Sequence, residues 1–277
     1  MKNVFFFFFL LFTTGVSSQV SFQGRAIYMS KTTMDMNFGN RPMSEDQKKR
    51  IADRMKSILE KTYVLSFNKT ESSYKEEEKL GVQSQGRGGR FGGMMSSFSG
   101  GQKYTNTKKG IVLDESEFFG KKFLISEDTG KPGWKLEGET KKIGNYICYK
   151  ATYLKADTAF DMASFGRGGR GNDQEKKEIQ ENISKTMLIT AWYAPQIPVS
   201  HGPGEFWGLP GLILELNTGR TTLLCKEINM NTSDKVVIKM PTKGKKVTRE
   251  EYTEIVTKKM GELREQFRGR GSRNGRG

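Results

Sequence analysis

Residues 192–216 read WYAPQIPVSHGPGEFWGLPGLILEL, a run of aromatic, proline and glycine residues that passes into a strand. Leu212, Leu214 and Leu216 alternate with Ile213 and Glu215, so a regular strand would put the three leucines on one face. Ahead of it, Leu209-Pro210-Gly211-Leu212 suits a type II turn, with Pro210 presetting the first central dihedral and Gly211 supplying the positive φ of the second. Pro195, Pro198 and the Gly202-Pro203-Gly204 run stiffen the approach. Trp192, Tyr193, Phe206, Trp207 and Leu209 are therefore carried on a constrained backbone, where they cap a core or line a pocket.

Working outward, strand-like runs rich in Val, Ile, Thr, Tyr and Phe recur at 20–32, 62–68, 103–113, 121–126, 134–139, 143–155, 187–194, 212–216, 221–230 and 235–239. Their short spacing favours antiparallel neighbours, and the strand–helix rhythm of a parallel sheet does not occur. Ser44 with Gln47 forms a capping box before the stripe Ile51, Met55, Ile58 and Leu59. Thr248 with Glu251 repeats it before Tyr252, Ile255, Val256, Leu263 and Phe267, and a weaker helical pattern spans Asp173 to Ser184. The expected fold is mainly β (α+β): a curved antiparallel sheet or half-barrel with an inserted helix near 44–62 and a C-terminal helix.

The N-terminus has the form of a secretory signal over residues 1–18. Lys2 is the charged region, Val4 to Phe12 the apolar run, and Val16-Ser17-Ser18 the small-residue cleavage site. Nine apolar residues are too few to span a bilayer as a helix, which takes about 20. The expected product is a single β-rich domain over 19–267, periplasmic or secreted and soluble after cleavage near Ser18. Export would place Cys148 and Cys225 in an oxidising compartment, where they are candidates for a disulfide or stand as two separate buried thiols.

The 277 residues carry a formal net charge of +15. Three acid-free Arg/Gly tracts lie at 86–101, 166–171 and 268–277, read as two flexible insertions and a disordered tail. Their arginines, Arg87, Arg90, Arg167, Arg170, Arg268, Arg270, Arg273 and Arg276, together with Lys2 hold nine of those charges, leaving the rest of the chain at about +6. These arginines are candidate contacts for acidic polymers or anionic head groups, with affinity falling steeply in salt. Export argues against a dedicated nucleic-acid site.

Catalytic motifs are scarce. One His and two Cys exclude most zinc and thiolate sites, and the Met-rich N-terminal third has no ligand spacing, so no metal or cofactor is expected. Gly166, Gly168 and Gly171 match GxGxxG without the buried strand or the later acid that a dinucleotide site requires. His201 is the one possible catalytic imidazole, and a hydrolase using it with a distant Ser and acid is the alternative from the enzyme class.

The string GLPGLI at Gly208 to Ile213, the WYAPQIPVSHGP run before it, KIGNYICYKA at Lys142 to Ala151, and Trp134 occur in the order that resembles the GLPGLI family of exported bacterial proteins. The resemblance implies a secreted or periplasmic protein of Gram-negative bacteria, with an outer-membrane receptor as a possible partner, and it brings no catalytic residues. The expectation is a non-enzymatic, envelope-associated binding or carrier protein for a small apolar or peptide-like ligand. Its candidate loop comprises Trp192, Tyr193, Pro195, Pro198, His201, Phe206, Trp207, Leu209, Pro210 and Gly211. The remaining alternative is an adhesion module that grips acidic polymers through the Arg/Gly tracts.

Overall fold

A computed structural model describes residues 22–33, 44–47, 49–50, 53, 59–77, 98–127, 130–156, 186–231 and 236–273. The signal-like N-terminus, the expected helix over 173–184, Arg87, Arg90, Arg167, Arg170 and Arg276 lie outside them.

Among the described residues twelve strands form one open sheet. They are β1 (Gln23–Thr32), β2 (Glu60–Asn68), β3 (Glu71–Glu76), β4 (Phe98–Asn106), β5 (Ile111–Phe118), β6 (Lys121–Glu127), β7 (Lys135–Ile143), β8 (Tyr146–Ala156), β9 (Thr186–Ala194), β10 (Leu212–Thr218), β11 (Thr221–Met230) and β12 (Lys245–Thr248). The spatial order is β12-β6-β5-β4-β3-β2-β1-β11-β10-β9-β8-β7, antiparallel throughout except for the β12–β6 pair. The first strand therefore sits in the middle and the chain builds outward on both sides of it. The mainly β, antiparallel expectation holds.

Three departures from the expected strands have local causes. The run 103–113 is two strands, β4 and β5, because Thr107-Lys108-Lys109-Gly110 turns between them with Gly110 at φ 67°. Residues 236–243 are not a strand, and Val237 is exposed. The Gly-rich tract at 86–101, read as a flexible insertion, gives its last four residues to β4. A β-bulge between Gly100 and Lys103 brings Gly101 so near β5 that a Cβ there would lie 2.5 Å from the Glu115 carbonyl oxygen, so glycine serves the strand at this point.

Both capping boxes form. Ser44 and Gln47 exchange backbone-to-side-chain hydrogen bonds at 3.2 and 3.3 Å, and Thr248 and Glu251 do so at 2.9 and 3.2 Å. The second box starts the C-terminal helix, Arg249–Arg273, which buries Val256 and Met260 against Phe118, Phe123 and Ile125 of β5 and β6 and Val247 of β12. This helix is described to Arg273, so the backbone of Arg268, Arg270 and Arg273 is helical. Among the described residues no helix is long and apolar enough to cross a membrane.

The larger core holds Ala26, Tyr28, Leu65, Phe67, Tyr74, Cys148, Ala194, Ile197, Val199, Leu212 and Leu214, and a second cluster holds Ala151, Ile189, Ala191, Tyr193, Leu209, Ile213 and Leu216. The three leucines of β10 do not share a face. A bulge between Ile213 and Glu215 slips the register against β9, so Leu212 and Leu214 join the larger core while Leu216 turns to the second cluster beside Ile213. Both faces of β10 are thereby buried, which explains its near-continuous apolar sequence.

Candidate functional site

The loop from Pro195 to Gly211 folds back along itself. Leu212 N donates to Ile197 O (3.0 Å), Ile213 N to His201 O (3.1 Å) and Gly208 N to Ser200 O (3.0 Å), so 197–201 runs beside 208–213. Positive φ falls at Gly204 (68°) and Gly208 (96°) and not at Gly211, which corrects the expected type II turn. Gly211 is required for a different reason: a Cβ there would stand 2.4 Å from Ala194 O. Gly202 is equally confined, 2.5 Å from Phe206 O and from the Ile213 side chain.

This folding turns much of the aromatic loop inward. Trp207, Leu209 and His201 are buried, and Ile197 and Val199 enter the larger core. Trp134 donates its indole N–H to Trp207 O (2.8 Å) and packs against Phe206 and Tyr153. Trp192 is partly buried and carries the Lys141 ammonium 4.3 Å above its ring, while Lys141 also pairs with Glu215 (2.7 Å). Trp207, Leu209, His201 and Gly211 are therefore buried against the core, as the core-capping alternative has them. Pro198 and Pro210 are exposed at the loop surface.

Beside the loop, exposed Pro195 and Gln196 meet an exposed tyrosine of β8 over the buried Tyr193. Tyr193 and Pro195 join Tyr149 of β8 and Gln196 around an open depression of about 440 Å³. Tyr149 stands opposite Tyr193 in the β8–β9 ladder, with ring centroids 6.1 Å apart and planes at 34°, and it is 40% exposed. Two aromatic faces, a proline ring and one amide make a surface that stacks on apolar groups and offers a single polar anchor. Tyr149 was not legible as a partner of Tyr193, because only the ladder that joins β8 to β9 sets them together; Gln196 follows Pro195 in the same loop and was passed over.

His201 lies wholly inside. Its Nε2 donates to Asn68 O (3.0 Å), and among the described residues its Nδ1 and the Trp207 indole N–H have no hydrogen-bond partner. Burial drives its pKa down to about 4, against a small opposing pull from the Asn68 carbonyl. The imidazole is neutral and inaccessible, and its one side-chain hydrogen bond goes to backbone; no hydroxyl or carboxylate among the described residues hydrogen-bonds to it. Among the described residues no Ser–His–acid relay runs through this imidazole.

Glu205, absent from the expected site, is the electrostatic centre of the loop. It pairs with Lys103 of β4 (3.1 Å) and with Lys155 of β8. Lys103 continues to Asp114 of β5 (3.1 Å), and Arg249 at the helix start joins Asp114 (2.9 Å) to Glu127 of β6. Three cations thus alternate with three carboxylates. Burial pushes the Glu205 carboxyl up, but Lys103 and Lys155 outweigh it and hold the pKa at about 2. Lys103 is raised despite its burial because Glu205 and Asp114 flank it, and Arg249 is raised by Glu127 and Asp114.

Cys148 and Cys225 are free thiols, so the candidate disulfide is not formed. They stand on β8 and β11 with β9 and β10 between, Cys148 inside the larger core and Cys225 packed against it. Burial lifts both thiols, to about 11 and about 12. Among the described residues no group of three His, Cys, Asp or Glu is placed to hold a metal ion.

Two crystal forms of PNGF-II are similar to this chain at 12% and 14% identity, each with a TM-score of 0.45, over 86% of this chain and 33% and 34% of theirs. The chain spans about a third of the length of those proteins. No curated protein matches it. Residues 134–215, the stretch from Trp134 through the aromatic loop into β10, match a family described as a protein of unknown function (Porph_ging).

Proposed function

We propose that the protein is an exported, non-enzymatic binding protein of the bacterial cell envelope, of the GLPGLI type, that holds an apolar or peptide-like ligand against Tyr149, Tyr193, Pro195 and Gln196. The supporting observation is the open depression of about 440 Å³ whose aromatic lining includes a large side chain left 40% exposed. A fold that closes so many aromatic residues into its core leaves Tyr149 outside, above the buried Tyr193 and next to a loop whose arms are hydrogen-bonded to each other. Rigid walls lower the ordering cost of binding. Placement in the envelope rests on the signal-like N-terminus and on the GLPGLI resemblance, and an outer-membrane receptor is the partner the resemblance suggests.

The apolar fluorophore anilinonaphthalene sulfonate tests the site. Titrated into the folded protein, it should bind with a blue-shifted emission, and Tyr149→Ala should weaken binding about tenfold, the loss expected for removing one aromatic contact of about 1.4 kcal/mol. The melting temperature should stay unchanged, because Tyr149 is half outside. Equal binding by the two proteins would reject this depression as the site.

A further inference from the structure

We propose that the free edge of β7 receives an extended peptide segment, which pairs backbone to backbone with Thr140–Ile143 and lays its side chains beside Ile147 and Tyr149. The proposal rests on the binding reading above and narrows its ligand to a polypeptide strand.

The first observation is topological. β7 ends the sheet order, so among the described strands it has β8 on one side and no neighbour on the other. Its outer edge presents a row of N–H and C=O groups that are matched in chemistry and spacing by another extended chain. The opposite edge is different: β12 is four residues long and the C-terminal helix packs beside it. A bulge between Leu136 and Thr140, around Gly138, interrupts the start of β7, and beyond it Thr140 to Ile143 pair regularly with Tyr149 to Tyr146. The regular stretch of the free edge is therefore Thr140–Ile143.

The second observation is the chemistry of the face beside that stretch. Tyr149 lies opposite Thr140 and Ile147 opposite Lys142, so all four share a face, and Tyr149 and Ile147 are 40% and 52% exposed. Leu136, 57% exposed, lies opposite Ala151 further along the same pair of strands. This apolar strip runs into the Tyr149–Tyr193 depression. Charge then selects the partner. Lys135, Lys141 and Lys150 hold Glu137, Glu215 and Glu139, whereas Lys142 is exposed and has no ion pair among the described residues. The fitting segment alternates apolar β-formers with acidic residues. A second copy of β7 fits poorly, since antiparallel pairing centred on Thr140–Ile143 would set Lys141 against Lys142.

The test uses the full chain and a synthetic library of peptides of about eight residues, in which Val, Ile or Tyr alternates with Glu or Thr. Glu-bearing members should bind and slow amide exchange in 140–143, and N-methylation of alternate peptide amides should weaken them about tenfold. Lys142→Glu, on an exposed side chain, should shift preference to Lys-bearing members. Binding that survives N-methylation overturns edge pairing while leaving the apolar depression intact. Failure of every member to bind below about 1 mM also overturns it, as does slow exchange of all 140–143 amides in the free protein, which would mean that the chain covers its own edge. Loss of fluorophore binding in Tyr149→Ala is a separate result and reports on the depression alone.

Discussion

At the scale of single residues, His201 carries the clearest pH signature. Its folded pKa of about 4 lies below the ordinary 6.5 because burial disfavours the imidazolium. Between those values the unfolded chain binds the extra proton, so this contribution to stability is complete above pH 6.5 and is lost as pH falls towards 4. The loss should reach about 3 kcal/mol. Denaturant melts across that range should show it, and His201→Leu should flatten the dependence; an unchanged slope would mean that the imidazole charges without penalty. Glu205 behaves as a depressed carboxylate: its contribution is present above pH 4.5 and disappears only as pH falls towards 2. Its role was invisible in the sequence, since Lys103 and Lys155 lie 102 and 50 residues away and are brought to it by the sheet.

At the scale of elements, strands with many β-branched and aromatic residues were legible, and those held by pairing alone were not. β3, ESSYKE, offers Tyr74 as its one large apolar residue, and it is a strand because β2 and β4 hydrogen-bond to both of its edges. β12, KKVT, likewise depends on its pairing with β6 and on one buried valine. The rigid character of the aromatic loop was legible from its Pro and Gly content, but the inward direction of Trp207 and Leu209 follows from hydrogen bonds between its two arms. Gly211→Ala should therefore cost about 3 kcal/mol or more, because its Cβ would strike backbone that cannot swing aside. A change below about 0.5 kcal/mol in a chemical melt would show that the loop arms separate easily.

For the whole molecule, the charge chain reports the shape of the sheet. β4 and β8 are seven strand steps apart in the sheet order, about 34 Å if the sheet lay flat. Glu205 nevertheless touches a lysine on each, so the sheet curls until its two wings meet across the 195–211 loop. Breaking one end should loosen that curl: Glu205→Gln leaves Lys103 and Lys155 short of an anion and should destabilise by about 3 kcal/mol. Glu205→Gln with Lys155→Met should recover part of the loss, and full additivity would show that the two groups act independently. The curled sheet leaves Tyr149, Ile147 and the edge of β7 on the outside, where the proposed ligand sits. Native mass spectrometry of the full chain recovered from the envelope of its own cells tests that claim most directly. The account predicts a bound apolar or peptide mass on the wild-type protein that is depleted in Tyr149→Ala, and the same mass recovered equally with both proteins would contradict it.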